Sequence, residues 1–206
     1  MYEVLPVPAS RTRLANLISN IFNPFALSLL GVVLISIKST GSILDALRWS
    51  AVFIAICMVP VYLFIAHYVR TGHLDSFFSN SQQQRTRIYL VGGFFAGVAL
   101  VTLELLKAPD KLVAILLAAF VSSVLFMLVN LLWKISVHTA FATAFVTLAA
   151  LLYGWIASPL VLLVPAMAWS RIELKQHSLA QTAGGAILAT LTLLVVFWLS
   201  GLLRAT

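Results

Sequence analysis

Apolar residues run in long blocks along this chain, and the polar residues gather between the blocks instead of alternating with them. Strict alternation would point to half-buried strands. Unbroken apolar runs near 20 residues point to helices that cross a hydrocarbon layer of about 30 Å. The blocks predict spans over residues 24–37, 49–69, 88–106, 112–133, 138–157 and 179–203. A further apolar segment, 160–169, follows Ser158-Pro159, carries Pro165 and is too short to cross unless it extends into 170–174. Pro60 is expected to kink the second span, because its ring removes a helical hydrogen bond and crowds the preceding turn. Residues 1–21, interrupted by Arg11 and Arg13, show no signal-peptide pattern and read as an interfacial amphipathic segment. The polar breaks fall at 38–48, 70–87, 107–111 and 134–138, the second being the longest. Backbone polar groups in lipid must be satisfied within helices. The expected fold is therefore all-α: one polytopic helical bundle over residues 22–206, with six spans plus a short apolar helix. Gly92, Gly93 and Gly97, and the pair Gly184-Gly185, mark places for close helix packing.

Composition removes the other classes. Apolar residues make up 62% of the chain and charged residues 9%, against about 25% charged in soluble domains. A soluble globule could not hide that much apolar surface, and disordered chains are polar. A single cysteine, Cys57, excludes a disulfide framework. Lys and Arg outnumber Asp and Glu by 13 to 6. In a membrane chain that excess reads as topology signal and phosphate ligands, so the expected partner is the membrane and not nucleic acid. No Walker loop, nucleotide fingerprint or zinc-ligand spacing appears. His67 and His73 are six apart and do not share a helix face, so neither a metal nor a cofactor is expected.

Counting spans divides the charges between two faces. One face carries Arg11, Arg13, Arg70, Arg85, Arg87, Lys134, Arg171 and Lys175; the other carries Lys38, Arg48, Lys107, Lys111 and Arg204. The first face also holds His138 and His177. Paired histidines can act as nucleophile and general acid, and arginines grip tetrahedral oxyanions. That set suits phosphoryl transfer, where catalysis is mostly positioning and charge stabilisation. The same residues also read as interface anchors. The 8-to-5 excess places the first face in the cytoplasm, but setting aside Arg85, Arg171 and Lys175 as ligands leaves 5 against 5, so the side stays open.

Three motifs narrow the reading. Ser170-Arg171 followed by five residues and His177 (SRIELKQH) resembles the SR-x5-H element of the type 2 phosphatidic acid phosphatase family. Ile135-Ser136-Val137-His138 resembles that family's PSGH element, with Ser and His kept. Arg85, in SQQQRTRIY, stands where the family's K-x6-RP element has its arginine. The order and the shared face agree with the family over about residues 23–203. Two departures stand out. Phe78 occupies the position of the family's lysine, and Gln181 that of its aspartate four residues past the histidine.

The resemblance implies a membrane lipid phosphatase that hydrolyses a phosphomonoester or diphosphate of a lipid or isoprenoid without a metal, through a phosphohistidine. It implies His177 as nucleophile, His138 as general acid, and Arg171 and Arg85 as phosphate clamps, with Arg87 as the competing choice for the latter. Ser136, Ser170 and Lys175 are further phosphate contacts, Lys175 replacing the cation that Phe78 lacks. Gln181 orients His177 one helical turn away, and Asn130 supports the site or packs helices. Lys134 and Glu173 read as surface charges. A bacterial or archaeal cell membrane is the expected location. The alternative reading is a non-catalytic binder or transporter of phosphorylated lipids.

Overall fold

The computed structural model describes residues 9–78 and 81–203. Residues 1–8 of the N-terminal segment and Arg204 lie outside the described residues. All regular structure among the described residues is helical. α1 (Ala9–Ile21) is mostly exposed and buries Ala15 and Ser19. The chain bends by 42° into α2 (Pro24–Ser39). Asn23 sets that start: its side chain accepts from the Ala26 N–H, and Pro24 occupies the first helical position, where its missing donor costs nothing.

α3 (Ile43–Phe53), a π turn (Ile54–Met58) and α4 (Val59–Arg70) form one 28-residue stretch. It begins six residues before the expected 49. Ser42 caps it by accepting from the Asp45 N–H, and Asp45 suits the positive end of the helix. The disturbance expected at Pro60 takes the form of the π turn just before it, which absorbs the residue whose hydrogen bond proline cannot make. α5 (Gln82–Leu105) also begins six residues early, so Arg85 and Arg87 ride on its first turns instead of in the loop. α6 (Asp110–Leu132) returns beside it. A Cβ on Gly93 would stand 3.3 Å from the Ser123 Cβ, and one on Gly97 3.4 Å from the Phe120 ring, which is how closely the two helices approach.

α7 (Val137–Tyr153) stops four residues before the expected 157, because Gly154 takes φ +60°, a left-handed conformation that costs glycine nothing. A 3₁₀ segment (Gly154–Leu162) and α8 (Leu163–Glu173) then run back along α7. Ser158-Pro159 lies inside the 3₁₀ segment. The returning limb is thus longer than the short apolar helix expected over 160–169. At 2.0 Å per 3₁₀ residue and 1.5 Å per α residue it reaches about 34 Å, enough to recross the layer. α9 (Leu179–Leu199) packs on α7 and ends before 203. Among the described residues, five helical stretches can by length and apolarity cross a membrane, or six if the bent α1–α2 pair counts as one; the folded-back stretch Val137–Glu173 is among the five.

The turns after α4, α6 and α8 gather with α1 at one end of the bundle. The main core lies away from that end, built around Val32, Phe53, Leu112, Leu148, Leu193 and Phe197. Leu105, Leu132 and Trp155 stand on the outside, 78%, 92% and 85% exposed. Apolar side chains that project this far suit hydrocarbon, not water.

Candidate active site

Four pieces of chain meet at the polar end: the start of α5, the 133–138 turn into α7, the end of α8, and the turn from α8 into α9. Arg85, Ser136, His138, Ser170, Arg171 and His177 are all buried there. Arg85 leads Arg87 as the inward residue, since Arg87 is exposed.

The α8–α9 turn explains how His177 is held. Lys175 adopts φ 55° just past the end of α8 and reverses the chain, and the His177 N–H closes on the Arg171 carbonyl at 3.3 Å. Ser178 then opens α9 with a reciprocal cap. Its hydroxyl accepts from the Gln181 N–H at 3.3 Å, and the Gln181 Oε1 accepts from the Ser178 N–H at 3.0 Å. That second bond fixes the orientation of the Gln181 amide. The same Oε1 lies 3.2 Å from His177 Nδ1, which must therefore be the protonated nitrogen and the donor. The lone pair is left on Nε2, and the Arg85 guanidinium donates to it at 3.3 Å. Arg85 is steadied by a second bond, from Nη1 to the Ile135 carbonyl at 3.0 Å.

The charges acting on His177 are all positive. Burial, then Arg85, Arg171 and Lys134, push its imidazole down to about 3, opposed only by the bond to Gln181. His177 is a neutral base at physiological pH. Lys134 is itself lowered, first by partial burial and then by the two arginines. It belongs to the cluster and is not the surface charge expected from sequence. Glu173, likewise expected as a surface charge, has a side chain only 10% exposed and pairs with Arg11 at 2.8 Å, tying α8 to α1.

Arg171 donates from Nη1 to the Ser19 hydroxyl at 2.7 Å, while its buried Nε has no acceptor among the described residues. Ser170 spends its hydroxyl on the Ala15 carbonyl at 2.7 Å, so it fastens α1 to α8 and does not reach for phosphate. Ser136 caps α7, accepting from the Thr139 N–H at 3.3 Å with the Thr139 hydroxyl 3.0 Å away. Lys175 is exposed on its turn. Asn130 donates to the Gln82 carbonyl and the Thr86 hydroxyl, and its own carbonyl accepts from Gln82 Nε2, so it locks α6 to α5. Phe78 lays its ring across His138, centroids 4.6 Å apart, and meets Phe25 on its other side. An aromatic ring thus stands beside the second histidine.

Sequence reasoning missed Ser19, Thr139 and Lys134. Ser19 sits on a polar, mostly exposed helix, and nothing in its neighbours marks it. Lys134 stands two residues before Ser136, a position that could have drawn attention.

The lowered His177 has a consequence for stability. The unfolded chain takes up a proton below the ordinary value of 6.5, whereas the folded site resists one until about 3. Stability therefore falls as pH drops through that window. His177→Gln should make the loss of thermal midpoint between pH 6.5 and 4 shallower in the detergent-solubilised protein. An unchanged slope would show that the fold does not hold this imidazole neutral.

The site as a whole is a buried cluster of cations around an oriented neutral imidazole. No family model matches the chain, and no curated protein or solved structure matches it.

Proposed function

We propose that the chain is an integral membrane lipid phosphatase, a divergent member of the type 2 phosphatidic acid phosphatase family, working through a phosphohistidine. The observation that carries this reading is the His177 ring. One nitrogen is anchored by Gln181, and the other presents its lone pair to Arg85 among three positive charges. A site that only bound anions would need the cations but not an oriented free base.

In the proposed reaction, phosphate oxygens draw the Arg85 guanidinium off Nε2, so substrate binding and exposure of the nucleophile are one event. Arg85 and Arg171 hold the equatorial oxygens, the latter with its unpartnered Nε, and Lys134 adds long-range charge. His177 Nε2 attacks phosphorus in line and the bond to the leaving oxygen breaks. His138, which takes up a proton as the anionic phosphate enters beside it, delivers that proton to the leaving oxygen. Water then attacks the phosphohistidine, His138 accepts its proton, and the P–N bond returns its electron pair to His177. Ser136 holds the start of α7 and with it the height of His138.

The reading is tested by phosphate release from purified protein, offered phosphatidic acid, phosphatidylglycerol phosphate and an isoprenoid phosphate or diphosphate. Turnover should persist in excess EDTA, since the cluster's cations neutralise the developing charge and would repel a divalent ion. EDTA-sensitive turnover restored by magnesium would overturn this assignment of roles. Tight binding of lipid phosphates with no release of phosphate would favour the non-catalytic alternative.

A further inference from the structure

An apolar cavity of about 330 Å³ opens beneath the site. Arg85 and His138 line its mouth together with Phe77 and Phe78. Below them Gly92, Ala96, Ala119 and Ser123 form one wall, and Val32, Phe53, Leu148 and Leu193 lie at the bottom. Those bottom residues belong to the main hydrophobic core, so the cavity is closed below by packed structure and does not run through the protein.

Its size limits what can enter. Ala96 lies 11 residues below Arg85 on α5, and Leu148 lies 10 below His138 on α7, which puts the floor about 15–16 Å under the mouth. An extended carbon chain advances about 1.25 Å per bond, as the 3.8 Å between Cα atoms three bonds apart shows. That depth takes about 12 or 13 carbons. The depth therefore suits one chain of about a dozen carbons.

Resting on the phosphatase reading for its headgroup, we propose that this cavity measures the substrate: it admits one apolar chain and engages only its first 12 or 13 carbons. Gly92 is the specificity-determining position. It faces the cavity seven residues, about 10 Å, below Arg85. A Cβ there would meet nothing within 4 Å, so a larger side chain would project into the channel without displacing its walls. Two-chain lipids would have to leave one chain outside.

The test measures binding, not turnover. Linear alkyl phosphates of 4 to 18 carbons are titrated calorimetrically against the full chain in detergent. Burying each methylene strengthens binding about fourfold, so affinity should climb steeply to about 12 carbons and then level off. Gly92→Leu should bring the plateau forward to about 8 carbons and leave the shorter chains unchanged. Ala119→Leu, deeper on the same wall, should shift it less, and provides a second blockade if the first variant folds poorly. An affinity that rises evenly to 18 carbons, or a plateau that neither variant moves, would overturn the proposal. Because none of this requires hydrolysis, failure of the phosphatase reading appears separately, as alkyl phosphates that plateau in binding but release no phosphate.

Discussion

His177→Ala lowers phosphate release by at least about 10³-fold while the bundle stays folded. In the proposed scheme the His177 imidazole is the nucleophile, because its Nε2 faces the Arg85 guanidinium. His138 stands under Phe78 and is the proton carrier in the scheme. The fold survives because the structural bonds of this turn do not run through the ring. The Ser178–Gln181 cap remains whole, the Lys175 reversal is made by backbone, and Arg85 keeps its bond to the Ile135 carbonyl. Substrate affinity should fall far less than rate, since the arginines stay in place. Phosphate release from purified variant and wild type, with circular dichroism as the control for folding, checks it. Full turnover in the variant removes the phosphohistidine from the account.

Gly185→Ala is expected to damage stability and activity together. α9 crosses the 133–136 turn so closely that a Cβ on Gly185 would run into the Ser136 carbonyl oxygen. The obstacle is backbone on both sides and cannot rotate away. The turn is also pinned, since the Ser136 N–H donates to the Gln181 carbonyl at 3.0 Å. Relief requires α9 to move off α7, at a cost of about 1–3 kcal/mol for overpacking. That movement separates Gln181 from Ser136 and His177 from His138. A loss of about 10²-fold in kcat is expected, since misplacement by about 1 Å costs that much. Gly41→Ala serves as the control, because a Cβ there meets nothing within 4 Å. Thermal midpoints and rates of the two variants settle the point. A Gly185→Ala protein with wild-type stability would show that the crossing is looser than described.

Much of this architecture is legible in the apolar blocks, and the places where the reading slips have physical causes. Hydropathy places span centres but not ends. Ser42 with Asp45 starts α3 in polar sequence, and α5 begins with Gln82-Gln83-Gln84, which hydropathy assigns to a loop although they are good helix formers. The 3₁₀ segment is apolar and proline-bearing, so the sequence conceals that residues 154–173 form a complete return limb whose last turn delivers Arg171. The structure buries the histidines and arginines of the three motifs at one end of the bundle, and these were the residues that the family resemblance singled out. Lys134 and Ser19 were not, since each reaches the cluster through tertiary packing alone. Gln181 is the most instructive position. Read against an expected aspartate it looks like a loss. In the structure its amide oxygen serves the Ser178 N–H and His177 Nδ1 at once, so orientation is kept and only the negative charge is given up. The low proton affinity of His177 follows from its burial and then from Arg85, Arg171 and Lys134, with no carboxylate beside it to oppose them.

The central claim is a covalent bond between phosphorus and His177, and trapping it is the most direct measurement. The purified protein is mixed with a ³²P-labelled lipid phosphate that it hydrolyses, quenched in alkali within milliseconds, and digested for peptide mapping. The account predicts label that is stable to base, released by acid, located on His177, and absent from His177→Ala. Steady turnover with no such label, or label on any other residue, would contradict it.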